Sequence, residues 1–104
     1  VGVLPLTDST ANNALIEMMA SGLAVVSTDV GGVRNYASGD GARLVGVGDS
    51  GAMAASVDAL LRDDALRTQC GRANRATAVR EFSIEVCAQR LAGIYAQASA
   101  QLPP

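Results

Sequence analysis

Leu23-Ala24-Val25-Val26-Ser27-Thr28, directly after Gly22, is the stretch that most limits what this chain can become. Its first four residues are apolar without alternation, and the run is rich in β-branched side chains. A strand with one wet face alternates polar and apolar residues, whereas an unbroken run needs cover on both faces. That is the pattern of a parallel strand, and parallel strands need crossover connections, usually helical.

The flanking segments fit this reading. Leu15, Met18, Met19 and Gly22 recur at helical spacing, so the sequence predicts a helix to about Ser21, capped by Thr10 or Asn12. Gly22 suits the left-handed residue that closes such a helix. Val1 to Leu6 reads as a buried strand, with Pro5 near its exit. After the Val30-Gly31-Gly32 turn come a short helix over Val33 to Ala37 and a third strand over Ala42 to Gly46. Three helices complete the chain. One starts at Asp49 or Ser50 and runs to about Arg62, with Met53, Val57, Leu60 and Leu61 inward. The next covers Ala65 to Glu81 behind an Asp64 cap. The last follows a Ser83 cap, with Ile84, Cys87, Leu91, Ile94, Tyr95 and Ala98 as one apolar stripe.

This order predicts an α/β fold: a three-layer, Rossmann-like half-domain of about three parallel strands and four to five helices. It occupies residues 1–104 as one partial domain, with 102–104 as a tail. A complete doubly wound sheet has five or six strands. The first strand should therefore present an unpaired apolar edge, and self-association as a homodimer or other oligomer through Val1 to Leu6 is expected. The opening at Val1 and the closing Leu102-Pro103-Pro104 read as a piece of a longer chain.

Composition narrows the chemistry. The chain has no histidine, and all eight of its basic residues are arginines. The commonest general base and metal ligand is thus missing, as are Schiff-base chemistry and the phosphate-loop lysine. The acids are scattered, and the turns at Asp40 and Asp49 are too short for a calcium loop, so neither a metal nor a cofactor is expected. The net charge of −2, without an arginine block and with 3% aromatics, argues against a nucleic-acid surface. No apolar run nears a membrane span and no leader is evident, so a cytoplasmic protein is expected. Cys70 and Cys87 read as a reduced pair filling the core.

The candidate site is the loop–helix junction from Thr10 to Ala14. Amides at a helix start lack partners and the macrodipole adds positive charge, so a phosphate is stabilised there without lysine. Capping alone also explains Thr10 and Asn12. Glu17, one turn deeper, could accept two hydroxyl hydrogen bonds from a sugar or serve as a solvated acid. Gly31-Gly32 allows close approach by a ligand or simply a tight turn. Asp29, just past a strand's carboxyl end, either faces a ligand or caps the next turn.

From Thr7 to Phe82 the chain resembles the C-terminal domain of retaining glycosyltransferases with the GT-B architecture, glycosyltransferase family 4. The residues that carry the resemblance are Asn13-Ala14-Leu15-Ile16-Glu17-Met18-Met19-Ala20-Ser21-Gly22, then Ala24-Val25-Val26-Ser27-Thr28-Asp29-Val30-Gly31-Gly32. Gly41-Ala42-Arg43-Leu44-Val45-Gly46-Val47-Gly48-Asp49, Leu60-Leu61-Arg62-Asp63, Leu66-Arg67, Gly71 and Glu81-Phe82-Ser83 follow in order. The resemblance implies a donor site made of Ser9, Thr10, Ala11, Asn12, Asn13, Ala14 and Glu17. Helix-start amides would hold the diphosphate of a nucleotide sugar, and Glu17 its ribose. Ser9 stands where the family has its first glutamate, which touches the donor sugar, and Ala24 and Val47 replace family prolines. The family's acceptor domain and the first strands of its donor domain, with their cationic clamp, have no counterpart here. The resemblance thus implies the donor-binding part of a sugar-transferring enzyme, inactive in isolation, with no catalytic residue assigned. A non-catalytic oligomerisation module on the same half-sheet is the alternative. A nicotinamide dehydrogenase is disfavoured because no Gly-x-Gly-x-x-Gly turn follows a strand.

Overall fold

A computed structural model describes residues 1–10, 12–37 and 39–103. Three strands, β1 (Gly2–Leu4), β2 (Val25–Thr28) and β3 (Ala42–Val45), form one parallel sheet in the order β1-β2-β3. The register aligns Gly2 with Val25 and Val25 with Ala42. Helix α1 (Asn13–Ala20) connects β1 to β2 and α2 (Val33–Tyr36) connects β2 to β3. Helices α3 (Ser50–Arg62), α4 (Asp64–Phe82) and α5 (Ile84–Ala100) follow. The predicted architecture is therefore the observed one, an α/β Rossmann-like half-domain with three parallel strands and five helices. The strands are shorter than the apolar runs that announce them, because Pro5 and Leu23 lie outside the ladder.

All four residues of β2 are buried. Its successive side chains point to opposite faces. Val25 joins Leu15 and Met19 of α1, Val33 and Ala37 beside α2, and Ala78 of α4 in one cluster. Val26 joins Ala24, Leu60 of α3 and Cys70 of α4 in another. Complete burial of Leu15 and Met19 stabilises the α1 side by roughly 1.5–3 kcal/mol per side chain.

Helix α4 serves both clusters and closes the amino end of the sheet. Its Asn74 is buried, and the side-chain amide donates to the carbonyls of Leu23 and Gly41, each at 2.8 Å. Those two residues precede β2 and β3, so one amide sets the entry of both strands. Gly71 brings α4 against the turn before β2: a Cβ there would lie 2.1 Å from the Gly22 carbonyl oxygen. Gly22 itself sits at φ 76°, the left-handed close of α1 that the sequence predicts.

Several local expectations need correction. Leu61 does not pack inward but is exposed, because the α3 face that meets β2 and β3 is centred on Leu60. Helix α4 is capped by Asp63, whose Oδ1 accepts from the Leu66 amide at 3.0 Å, and Asp64 already belongs to its first turn. The cysteines do not fill the core together: Cys70 is buried and Cys87 is exposed, both as free thiols. Helix α5 buries none of its residues, and its stripe is open at Ile84, Leu91, Ile94 and Tyr95. It meets chiefly α4, and the molecule extends 61 Å along its longest axis. No helix among the described residues is long and apolar enough to cross a membrane.

The two helical glycines should respond oppositely to the same change. Gly93→Ala in α5 meets nothing within 4 Å and should raise stability by about 0.5–1 kcal/mol through helix propensity. Gly71→Ala drives a methyl group into the Gly22 carbonyl and should cost about 1–3 kcal/mol despite the same propensity gain. Urea unfolding followed by circular dichroism checks both, and equal effects would contradict the packing described.

Candidate functional site

The site begins where β1 leaves the sheet. Thr28 at the end of β2 donates its hydroxyl to the Leu6 carbonyl at 2.6 Å, which ties the exit of β1 to its neighbour. The chain then turns through Asp8, Ser9 and Thr10 toward α1. The Asp8 carboxylate folds back to accept from the Ser9 amide at 2.8 Å, so it is directed at its own loop. The Gly32 amide, after β2, donates to the Ser9 carbonyl at 2.8 Å.

Asn12 is the N-cap of α1. It is extended at φ −142° and ψ 108°, and its Oδ1 accepts from the Leu15 amide at 3.0 Å. Of the two caps the sequence allows, Asn12 is the one used. The Leu15 amide is thereby satisfied, and the Ile16 amide bonds the Asn12 carbonyl at 3.3 Å. Among the described residues, nothing accepts from the amides of Asn13 and Ala14. Both residues are exposed. The first turn of α1 contains no acid, unlike those of α4 and α5, which carry Asp64 and Glu85. The positive end of the α1 dipole is therefore not neutralised by its own side chains.

Glu17 is exposed on the same helix, four residues after Asn13. One turn, about 5.4 Å along the axis, separates the open amides from this carboxylate. Ser9 is half-buried and Thr10 exposed, on the loop that leads in. Ala11, also named as a donor-site residue, lies outside the described residues. The described residues of the expected site, Ser9, Thr10, Asn12, Asn13, Ala14 and Glu17, lie on the loop after β1 and on α1, and Thr10, Asn13, Ala14 and Glu17 are exposed. On the other face of the sheet, a hollow of about 230 Å³ is lined by residues that include Leu6, Thr28, Asp49 and Met53. None of the expected donor-site residues lines it. Among the described residues no group of three His, Cys, Asp or Glu side chains could hold a metal ion.

Two features of the site were not read from the sequence. Asp29 neither caps a turn nor stands open: Arg34 forks onto it, with Nε 2.8 Å from Oδ1 and Nη2 2.6 Å from Oδ2. Hydrogen bonding to this guanidinium holds the Asp29 carboxyl below its usual range, and the same bond raises Arg34. The spacing of five between them was the available signal. The second feature is the contact of Gly31-Gly32 with Ser9-Thr10. A Cβ on Gly31 would fall 1.7 Å from the Ser9 carbonyl oxygen, and one on Gly32 would fall 2.2 Å from that of Thr10. The close approach that the glycine pair permits is made by the protein's own loop.

Asn12→Ala should cost about 1 kcal/mol, because it orphans the Leu15 amide at the helix start; chemical denaturation reads this directly. The fork at Asp29 should titrate as a depressed acid. Its contribution is complete above the ordinary aspartate value of about 3.9 and is lost as pH falls through the lower folded value. NMR of the Asp29 carboxyl carbon should give a midpoint below that of Arg34→Gln. Coincident midpoints would contradict the fork.

Comparison with known proteins places the chain in a family. Residues 1–63 match the family described as glycosyl transferases group 1. Phosphatidyl-myo-inositol mannosyltransferase of Mycobacterium leprae (strain TN) is 39% identical over 82 residues, which cover 78% of this chain and 22% of that protein. The enzyme of the same name from Mycolicibacterium smegmatis (strain ATCC 700084 / mc(2)155) is 48% identical over 54 residues, covering 51% of this chain and 14% of that one. Among solved structures, sucrose-phosphate synthase from Thermosynechococcus elongatus superposes with a TM-score of 0.87 at 27% identity, over 96% of this chain and 25% of that chain. The chain thus corresponds to a quarter or less of the proteins it matches. With a family match across more than half its length, the chain belongs to the glycosyl transferases group 1 family.

Proposed function

We propose that this chain is the donor-binding part of a retaining glycosyltransferase and that the start of α1 receives the diphosphate of a nucleotide sugar. The observation that carries the reading is the pair of unaccepted amides at Asn13 and Ala14, on a helix start without an acid, with Glu17 one turn deeper. Family membership supports a nucleotide sugar as the ligand of that arrangement. The diphosphate oxygens accept from the amides of Thr10, Asn13 and Ala14, with Asn12 holding the helix start in shape. The Glu17 carboxylate accepts from the ribose hydroxyls. Ser9 lies on the sugar side, where it offers a hydroxyl in place of a carboxylate. The names of the two mannosyltransferases support a hexose as the transferred group.

In the transfer, the bond between the sugar's anomeric carbon and the diphosphate oxygen breaks. A new bond forms to an acceptor hydroxyl oxygen, whose proton passes to the departing diphosphate oxygen, and the nucleoside diphosphate leaves. Negative charge grows on the departing diphosphate, so fixed amides and a helix dipole aimed at it stabilise the transition state more than the ground state. These residues supply neither a cationic clamp nor an acceptor-binding wall. The segment alone is therefore expected to bind nucleotide weakly and not to catalyse.

Titration of the ¹⁵N-labelled chain with UDP, GDP and ADP tests the assignment. The amides of Thr10, Asn13 and Ala14 should move together, with dissociation constants on the order of millimolar. Glu17→Gln should weaken nucleoside diphosphates and leave inorganic pyrophosphate unaffected. Shifts confined to other surfaces, or none in the wild-type chain, would refute the reading.

A further inference from the structure

The contact between the Gly31-Gly32 turn and the loop before α1 has a directional consequence. In a trans peptide the C=O and the following N–H point in opposite directions, and no peptide bond among the described residues is cis. The Gly32 amide holds the Ser9 carbonyl at 2.8 Å. The N–H of Thr10 belongs to the same peptide plane, so it is turned away from the glycine turn, and Thr10 is exposed. The contact leaves no room for a side chain on either glycine. Gly31 adopts φ +51°, which further favours glycine, whereas Gly32 has φ −87° and is kept small by the approach of Thr10 alone. The fork from Arg34 to Asp29 bridges the same turn from its two ends.

We infer that the Gly31-Gly32 turn is a backbone template that aims the Thr10 amide at the bound diphosphate, which makes Gly32 a positioning residue of the donor site. The inference rests on the nucleotide-sugar reading and adds to it the device that orients one donor. Residues in the turn after β2 thereby decide the direction of an amide before α1. A methyl group on Gly32 collides with the Thr10 carbonyl, in the next peptide plane, and pushes the glycine turn off the loop; the Gly32 amide then loses the Ser9 carbonyl, and the Ser9–Thr10 plane that carries the Thr10 amide is no longer held. Neither β2 nor the buried face of α1 has to move, because the loop is at the surface.

The test compares the wild-type chain, Gly32→Ala and Gly39→Ala, the last placing its methyl group where nothing lies within 4 Å. UDP, GDP and ADP are the probes. In the wild-type chain, the Gly32 amide should exchange with solvent at least about tenfold more slowly than that of Thr10, and the Thr10 resonance should move on nucleotide addition. In Gly32→Ala, the Ser9 and Thr10 resonances should shift while those of Val25 and Val26 stay, and affinity should fall about tenfold. Gly39→Ala should behave as wild type. Wild-type affinity in Gly32→Ala, or a still Thr10 resonance while Asn13 and Ala14 respond, overturns the template. Should Gly32→Ala fail to fold, the exchange and titration behaviour of the wild-type chain still decides. A wild-type chain in which Asn13 and Ala14 also stay silent refutes the nucleotide reading itself, so the two failures are distinguishable.

Discussion

Everything in this small fold depends on covering β2 from both sides. Val25 and Val26 are adjacent and wholly buried, yet they belong to separate clusters. A three-stranded sheet is narrow, so the cover must come from helices that reach both faces. Helices α1 and α2 supply one cluster and α3 the other, while α4 contributes Ala78 to the first and Cys70 to the second. Asn74 lies between those two residues in sequence and hydrogen-bonds the carbonyls that precede β2 and β3. A buried amide is costly unless its donors are used, and both protons of this one are satisfied by strand entries. The polar group thereby aligns what the apolar groups only hold together.

The candidate site follows from that frame. Parallel strands direct their carboxyl ends to one side, where loops and helix starts gather. The start of α1 is anchored by Leu15 and Met19 from below and by Asn12 from its end. What remains are open amides on an anchored helix, with a carboxylate one turn away on its exposed side. On the proposed reading, this arrangement would receive an anion with hydroxyls attached, the chemistry of a sugar-nucleotide donor. On that reading the anchoring would matter, because electrostatic stabilisation works best when the donors need not reorganise as charge develops.

Helix α5 stands apart in character. Its cap at Ser83 is regular and its apolar stripe is the one the sequence announces, yet no residue on it is buried. Periodicity identifies a face that prefers cover, and covering it requires a partner element within reach. The α5 axis runs beyond the sheet, with α4 as its main neighbour. The same limit applies to Leu61 and Cys87, both apolar at helical spacing and both exposed.

Local pattern was sufficient wherever a single segment carried the constraint. The unbroken run at β2, the amphipathic spacing of α1, Gly22 as its close and the caps at Asp49 and Ser83 follow from the sequence, because each is a property of neighbouring residues. Asn12 as a possible cap and Glu17 on the first helix were legible for the same reason. Tertiary structure alone decided which of two caps was used, which cysteine was buried and where α5 ended up. It also decided that Arg34 takes Asp29 and that Gly31-Gly32 meets Ser9-Thr10. Most of these outcomes depend on how separate segments pack, as where Gly31-Gly32 meets Ser9-Thr10, or on which neighbouring side chain faces a partner, while the Asp29–Arg34 fork is local, at a spacing of five. Sequence spacing specifies a helix face to within a residue or two, whereas burial and close backbone approach are settled by the surfaces that pack together.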